Sequence, residues 1–386
     1  MCPLKRSSED LMLPARDCLD RRSFLKLGLV AGTLRPVAAD SREAKVAIVS
    51  CKSYGPPVEA AMSKAFDLLG GIGRLVKGKT ITLKVNLTRS GRGFVRVQNR
   101  PPGETYITHG DTVMALCTVL FREGARRVRI VESFPDARPF EDGLTEAGWD
   151  VPNLLSLGRV ELDNTRNLGV GKQYATVKVG SGGYLFSSFE LNHSYVDNDV
   201  FISLSKLKNH KTTGVTMTMK NLFGITPNSL YGDQAVSEDG VAGRGRLHFG
   251  SRWQRINFPG QKEGSFSLDA GARIPQIIAD LCEVRPVHLA IVDGITSISG
   301  GEGPWVGSLN LTHPGILLAG LNPVATDAVG TAIMGYDPAG GRGTAGFPRC
   351  ENHLLLGQQR GLGPTDLSKI EIVGIPLDKA RSPYPA

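Results

Sequence analysis

The chain has 386 residues and a formal net charge of +8, with 45 Lys and Arg against 37 Asp and Glu. Hydrophobic residues make up 41% and charged residues 21%, which excludes a wholly disordered chain and allows a sizeable core. Glycine is abundant, at 47 of 386 residues, where an ordinary protein has about 7%. The sequence therefore predicts many backbone positions in turns or close to a ligand.

The first 39 residues have the order of features of a bacterial twin-arginine export signal. Arg21 and Arg22 precede an apolar run from Leu27 to Leu34, and Val37-Ala38-Ala39 supplies the short side chains that a signal peptidase reads. The apolar run is too short for a permanent membrane anchor. We therefore expect residues 1–39 to direct export, with the twin-arginine translocase as a partner and the periplasm or cell envelope of a bacterium as the destination.

Removal of this segment takes away seven basic and four acidic residues, which leaves 38 and 33 and a net charge of +5. Those charges are interspersed, no aromatic–basic stacking pattern is present, and export separates the protein from the chromosome, so nucleic acid is excluded as a partner. Cys51, Cys117, Cys282 and Cys350 remain, without a C-x-x-C pair. This spacing argues against an iron–sulfur cluster or a zinc knuckle, while one or two disulfides stay open.

Short apolar runs and apolar residues at helical spacing alternate along residues 40–386. In chain order they predict strand 46–49, helix 57–69, strand 79–85, a helix from Asp111 as its cap to Gly124, strand 127–131, hairpin 175–189, strand 200–204, a helix from near Thr213 to Gly224, helix 274–283, strands 287–292 and 316–319, helix 322–334 and strand 370–373. This order predicts a single α/β domain, with a mostly parallel sheet flanked by helices. Residues 224–272 are predicted to be a long glycine-rich loop insertion that covers the ligand, and residues 294–314 form a second glycine-rich loop.

Polar side chains follow five of the predicted strands. They are Asn86, Glu132, Lys206, Asp293 and Asn322. Ligands of open α/β sheets collect beyond the carboxyl ends of the strands, so these residues are candidates for a common cleft. Ordinary solvated loop residues are the alternative.

The stretch from Ser205 to Gly224 is the richest in chemistry. Lys206, Lys208 and His210 follow an apolar strand, and Thr213 is placed to cap the next helix, whose N-terminus would attract an anion. On that helix Thr213 and Lys220 would share one face. The pattern favours a carboxylate or phosphate ligand over a solvated basic loop.

Asp327 falls on the inward face of the predicted helix 322–334. A buried carboxylate needs a partner, and Lys220 or a divalent metal would serve.

Three motifs resemble the signature of the family called domain of unknown function 362. They are Lys206-Leu207-Lys208-Asn209-His210 with its continuation through Thr213-Gly214-Val215-Thr216 to Lys220-Asn221-Leu222-Phe223-Gly224, then Asp293-Gly294-Ile295 with Gly303-Pro304, and Asn322-Pro323-Val324-Ala325-Thr326-Asp327. The resemblance covers about residues 45–375. Members of this family are often exported by twin-arginine signals, which Arg21-Arg22 matches, and some carry ferredoxin-type cysteine motifs, which this chain lacks. The resemblance implies no particular activity.

The sequence thus leaves two classes of function open. The first is an enzyme acting on a small anionic metabolite, and the second is a non-catalytic periplasmic binding protein for an anionic solute or cell-wall fragment. The candidate catalytic residues are Glu132, Lys220, Asp293 and Asp327. The candidate substrate-binding residues are Asn86, Lys206, Lys208, His210, Thr213, Asn221, His248 and Asn322. A divalent metal is compatible with these side chains, and its identity stays open.

Overall fold

The computed structural model describes residues 44–89, 93–248, 257–265 and 267–385. The described residues all belong to one compact unit. The segment 1–39, for which we predict an export signal, lies outside the described residues. In the part that is described, no helix is both long enough and apolar enough to cross a membrane.

An eight-stranded sheet organises the fold, in the spatial order β14-β1-β13-β10-β7-β2-β3-β4. Its strands are β1 (Lys45–Ser50), β2 (Thr80–Lys84), β3 (Arg127–Glu132), β4 (Val160–Asn164), β7 (Val200–Lys206), β10 (Leu289–Gly294), β13 (Ile316–Gly320) and β14 (Glu371–Gly374). Three two-stranded ribbons accompany the sheet: β5 (Ala175–Lys178) with β6 (Ser188–Leu191), β8 (Lys208–His210) with β9 (Gly214–Thr216), and β11 (Ser297–Ser299) with β12 (Asn310–Thr312). The predicted α/β class with a mostly parallel sheet is therefore confirmed.

One strand of this sheet runs against its neighbours. β13 pairs antiparallel with both β1 and β10, whereas β10, β7, β2, β3 and β4 pair in parallel. Gly320, at the end of β13, lies opposite Val46 and Ala290 near the starts of their strands. Asn322 therefore lies at the opposite edge from the carboxyl ends of the parallel strands. Our expectation that it shares a cleft with Asn86 and Glu132 is wrong.

Helices cover both faces of the sheet. They are α1 (Pro57–Leu68), α2 (Gly73–Val76), α3 (Pro102–Thr105), α4 (Gly110–Arg122), α5 (Phe140–Glu146), α6 (Val151–Ser156), α7 (Thr218–Asn221), α8 (Asn228–Tyr231), α9 (Gly245–His248), α10 (Ala270–Val284), α11 (Pro323–Ile333), α12 (His353–Gln359) and α13 (Leu377–Ala380). Alternate residues of β1 enter different cores: Val46 and Ile48 pack with α10 and α11, and Ala47 and Val49 pack with α1 and α4. A sheet buried on both faces explains why its strands read as continuous apolar runs.

Two predicted helix starts differ from the structure. Residues 208–216 form the β8–β9 hairpin, and the helix after it begins at Thr218, so Thr213 and Lys220 do not share a helical face. Gly214 completes the hairpin turn with a φ of 79°, a conformation that favours glycine. A side chain is also excluded there, because a Cβ would lie 2.3 Å from the carbonyl oxygen of Gly346. The cap of α4 is His109, whose ring accepts the N–H of Asp111, rather than Asp111 itself.

The four cysteines of the described residues are Cys51, Cys117, Cys282 and Cys350. All four are buried and carry free thiols. The disulfides that the sequence left open are therefore not formed among them.

Candidate functional site

A cavity of about 460 Å³ lies at the carboxyl ends of the parallel strands. It is lined mainly by residues at and after the ends of β2 and β3, by the segment from α7 to α9, and by the loop between β11 and β12. Six of the predicted site residues line it: Asn86, Glu132, His210, Lys220, Asn221 and His248. The other six are outside the lining: Lys206, Lys208, Thr213, Asp293, Asn322 and Asp327.

A buried ion pair forms the floor of the cavity. Lys84 Nζ lies 2.8 Å from Glu132 Oε1, with side-chain exposures of 1% and 7%. Lys84 also donates to Val85 O at 2.6 Å and to Asn221 Oδ1 at 3.1 Å. Burial lowers the pKa of Lys84, and the Glu132 charge opposes that effect. Separating Lys84 from Glu132 would leave an uncompensated buried charge, which is costly. The pair therefore holds the ends of β2 and β3 together.

Both carboxylate oxygens of Glu132 also accept hydrogen bonds from backbone donors. Its Oε2 accepts the N–H of Leu87 at 2.9 Å, and its Oε1 accepts the N–H of Ser133 at 2.9 Å. Together with Lys84 these contacts fix the carboxylate in place. Glu132 therefore positions the ion pair and the loop after β2 rather than facing a ligand as a free acid or base.

Asp327 anchors the short helix α7 on the sheet. Its Oδ1 accepts the N–H of Thr218 at 2.9 Å, and its Oδ2 accepts the N–H of Met219 at 2.8 Å. Burial raises the pKa of Asp327 to about 7, and the two N–H donors act against that rise. The partner that we expected to be Lys220 or a metal is the start of α7. Asp327 thus fixes the start of α7, the helix that carries Lys220 and Asn221.

A second buried ion pair lies beside the cavity. Lys206 Nζ is 3.1 Å from Asp293 Oδ2, and both side chains are 0% exposed. The two residues face each other across the β7–β10 register. Lys206 also donates to the Tyr54 hydroxyl at 2.5 Å and to Gly103 O at 2.7 Å. This network ties four chain segments together and leaves neither charge open to the cavity.

Lys208 holds the loop between β11 and β12 at the cavity. Its Nζ donates to Tyr106 O at 2.5 Å and to Glu302 O, in this loop, at 2.9 Å. The Glu302 carboxylate accepts the N–H of Lys211 at 3.0 Å and the indole N–H of Trp305 at 3.0 Å. Trp305 is 43% exposed and lines the cavity. The loop therefore brings one carboxylate and one aromatic ring to the cavity wall.

Lys220 is a half-buried cation on the cavity wall. Its Nζ lies 4.7 Å from the centroid of the Phe223 ring, and its ammonium makes no hydrogen bond or ion pair with any described residue. Burial lowers the pKa of Lys220 to about 8; Glu302 opposes this, and the charges of Arg244 and Lys84 add to it. A proton on this side chain is therefore held less firmly than on an exposed lysine.

Arg244 supplies a second cation. Its Nε donates to Thr226 O at 2.9 Å, and its Nη2 donates to Gly224 O at 3.2 Å and to Ser133 O at 3.4 Å. These acceptors are carbonyl oxygens, so the guanidinium has no carboxylate partner in the described ranges. Nη1 donates to none of the residues in those ranges, which leaves it available to a ligand.

Two histidines line the cavity and are neutral at pH 7. His248 Nδ1 lies 2.8 Å from Arg244 O. Because a carbonyl oxygen can only accept, Nδ1 carries the proton, and the lone pair of the neutral ring is on Nε2. Burial and the charge of Lys220 lower the pKa of His248 to about 4. His210 Nδ1 accepts the N–H of Thr212 at 3.1 Å, and burial holds its pKa well below the usual value. The contact of 3.8 Å between His210 and Glu302 is therefore not an ion pair at neutral pH.

Asn86 contributes an unsatisfied polar atom. Its side-chain Oδ1 is buried and has no hydrogen-bond partner in the described part of the chain. Buried polar groups in folded proteins are almost always paired, and an orphan in a cavity wall is a place where a ligand or water completes the bonding.

A metal centre finds no support in the side chains that the structure describes. No group of three or more His, Cys, Asp or Glu side chains is arranged there to hold a metal ion. The cavity brings together lysine, arginine, neutral histidine and two carboxylates that already accept hydrogen bonds. This donor set suits an anion better than a cation.

Fold and cavity together define an α/β protein with a cation-lined cleft at the carboxyl edge of its sheet. The chain belongs to the family described as Domain of unknown function (DUF362), which it matches over residues 81–332. It is similar to Thylakoid-associated protein sll1697 from Synechocystis sp., with 26% identity over 300 residues that make up 76% of this chain and 75% of that protein. A crystal structure of a Thermotoga maritima protein shares 14% identity at a TM-score of 0.32, covering 68% of this chain and 56% of that one. The chain thus spans little more than half of that protein.

Lys84 and Arg244 were missed in the sequence, for different reasons. Lys84 sits within the apolar run Ile81–Val85, and a charged residue inside a strand buried on both faces was the signal that could have revealed it. Arg244 lies in the glycine-rich segment between Gly243 and Gly245, where no periodicity places it. Only the folded path of that segment brings it beside Lys220.

Replacing Gly224 by alanine is expected to disturb the floor of the cavity. A Cβ at this position would lie 2.9 Å from Lys84 Nζ and 3.0 Å from Glu132 Oε1, so the ion pair would have to shift. We expect Gly224→Ala to lower the free energy of unfolding by about 1–3 kcal/mol, measured by urea denaturation. Gly243→Ala is the matched control in the same cavity wall, since no atom lies within 4 Å of its Cβ. Equal stability of the two variants would contradict the prediction.

The neutral state of His248 predicts a pH-dependent stability. Between about pH 4 and pH 6.5 the unfolded chain binds a proton that the folded His248 does not, so stability is lost as the pH falls through this window. His248→Asn keeps a donor for Arg244 O but cannot titrate. We expect the wild type to lose up to about 2 kcal/mol relative to this variant between pH 7 and pH 5, measured as paired urea denaturations. Identical pH dependences of the two proteins would refute it.

Proposed function

We propose that the protein is an enzyme that acts on a small metabolite carrying a carboxylate or phosphate group, bound in the cavity at the carboxyl edge of the sheet. The observation that carries the proposal is the pair of cations Lys220 and Arg244. Both line the cavity, and in the described ranges neither makes an ion pair or a hydrogen bond with a carboxylate. Both are partly removed from water, so a ligand anion would supply the direct partner that each cation lacks.

The rest of the cavity fits a small organic anion. Its volume of about 460 Å³ lies within the usual range of small-molecule sites. Phe223 and Trp305 provide apolar surface in the same cavity as the two cations. A ligand with a charged end and a short apolar body would use both features.

The arrangement favours catalysis over simple binding because two side chains of the cavity wall, His248 and Lys220 itself, have lowered pKa values. The neutral ring of His248 keeps a lone pair on Nε2, and the lowered pKa of Lys220 lets it lose a proton near neutrality. A non-catalytic binding protein for an anionic solute or cell-wall fragment would use the same cations. Its ligand would bind and leave unchanged.

Substitution of Arg244 tests the anion site. We expect phosphate and small di- and tricarboxylates to bind the wild type, with affinity falling as salt rises, because the attraction is electrostatic. Arg244→Gln should weaken binding by at least about tenfold, whereas Arg244→Lys should retain part of it. Isothermal titration calorimetry on variants whose circular dichroism matches the wild type is the measurement.

Arg381→Gln is the matched control, because Arg381 is exposed and outside the cavity lining. An affinity that is the same in Arg244→Gln, Arg381→Gln and the wild type would overturn the proposal. Binding without turnover in a screen of anionic metabolites would leave the cavity as a ligand site and favour the binding protein.

We also propose that the protein is exported through the twin-arginine route, on the strength of Arg21-Arg22 and the apolar run that follows. Conversion of both arginines to lysine is expected to keep the protein in the cytoplasm, because that route requires the arginine pair. Fractionation of the exporting host followed by immunoblotting measures this. Arg16→Lys is the control outside the pair, and an unchanged location of the double variant would exclude this route.

A further inference from the structure

The cavity contains one lysine whose surroundings differ from those of the lysines around it. Lys84 is ion-paired with Glu132, Lys206 is ion-paired with Asp293, and Lys208 donates to two carbonyl oxygens. Lys220 has no such engagement with the described residues, although it lines the cavity. Its Nζ lies over the face of the Phe223 ring, 4.7 Å from the ring centroid.

These surroundings destabilise the charged form of Lys220. Burial removes water from the ammonium, and the nearby cations Arg244 and Lys84 repel it, so the pKa of Lys220 falls to about 8. With this pKa, roughly a tenth of the side chains carry a neutral amine at pH 7. An exposed lysine has about two-hundredfold less neutral amine at the same pH. A neutral amine in a cavity is a nucleophile.

Arg244 and Lys220 therefore have different chemical capacities. A guanidinium keeps its charge in proteins, so Arg244 can hold an anion throughout a reaction. Lys220 can give up its charge and form a covalent bond. A ligand that satisfies both groups carries an anionic end and, a short distance away, an electrophilic carbon.

His248 lies within electrostatic range of Lys220 in the cavity wall, since the Lys220 charge helps to lower the pKa of His248. Its ring packs edge-on against Phe223 at a centroid distance of 4.9 Å, on the same aromatic side chain that Lys220 contacts. Its Nδ1–H is committed to Arg244 O, which leaves the Nε2 lone pair of the neutral ring for proton relay within the cavity.

We propose that Lys220 forms an imine with the carbonyl group of a small aldehyde or ketone that also carries a carboxylate or phosphate, held by Arg244. The inference rests on the function proposed above and names its substrate class. The Lys220 ammonium loses a proton to water, and the neutral amine nitrogen adds to the carbonyl carbon. His248 Nε2 relays the second proton of the adduct from nitrogen to oxygen, which gives a neutral carbinolamine. The carbinolamine hydroxyl leaves as water with a proton returned from solvent, and a protonated carbon–nitrogen double bond forms. In balance, the ammonium and the carbonyl compound are consumed, and the protonated imine and water are produced, with no change in oxidation state.

Reductive trapping on the intact protein tests this directly. Glyoxylate, a carboxylate-bearing aldehyde, is added with sodium cyanoborohydride, which reduces an imine to a stable carboxymethyl-lysine. Peptide mapping by mass spectrometry then gives the modification rate of each lysine. We expect Lys220 to react at least about tenfold faster than Lys64, which is exposed and distant from the cavity, because its amine is more often neutral.

Three further measurements separate a cavity reaction from general lysine labelling. The Lys220 rate should rise with pH and level off above about pH 8, and inorganic phosphate should suppress it by occupying Arg244. His248→Asn should slow Lys220 labelling while leaving Lys64 unaffected. Lys220→Arg should abolish the fast phase, whereas Lys64→Arg should leave it intact.

The outcomes distinguish this inference from the function on which it rests. Labelling that is equal at Lys220 and Lys64, or unaffected by phosphate, overturns the imine proposal. If phosphate still binds by calorimetry in that case, the anion site stands and only the lysine chemistry fails. If Arg244→Gln binds phosphate as the wild type does, the anion site itself fails. The wild-type peptide map needs no variant, so a misfolded substitution cannot hide the answer.

Discussion

The buried ion pair of Lys84 and Glu132 is the constraint on which the rest of the site depends. It joins the ends of the parallel strands β2 and β3. Asn221 connects the helix α7 to this ion pair by accepting a hydrogen bond from the Lys84 ammonium. Backbone donors of the loop after β2 complete the shell around Glu132. Each of these groups would be an unsatisfied buried polar atom without the others, so the cavity floor has one geometry rather than several.

This constraint divides the positive charges of the protein into two sets. Lysines that extend from the sheet, such as Lys84 and Lys206, are neutralised by carboxylates of neighbouring strands. Lys220 from α7 and Arg244 from the glycine-rich segment reach the cavity from outside the sheet and have no such carboxylate among the described residues, whereas Arg89, which also lines the cavity, is paired with Asp136. The sheet therefore supplies rigidity, and the segments laid over it supply the charge that a ligand can use.

The sequence predicts the features of the fold that depend on local interactions, and it fails where the structure depends on contacts between distant parts of the chain. The fold class and most element positions rest on apolar periodicity, which is local, and the end of β3 at Glu132 was placed correctly for that reason. The direction of β13 depends on pairing with strands far along the chain, so Asn322 was placed at the wrong edge. The helix expected from Thr213 failed because Gly214 makes a turn that periodicity does not reveal. Arg244 had no local signal at all.

The antiparallel strand β13 brings both ends of the connection between β10 and β13 to the same point of the sheet. Because β10 and β13 are antiparallel, Gly294 and Ile316 lie side by side, and the whole connection from residue 295 to 315 leaves and re-enters the sheet at one point. This connection carries Glu302 and Trp305 to the cavity wall. Residues can be gained or lost between β11 and β12 without moving the register of the eight-stranded sheet, because both anchors of the connection are fixed by the β10–β13 ladder. The cavity wall that carries Glu302 and Trp305 can thus change in length or composition while the floor formed by Lys84 and Glu132 keeps its geometry.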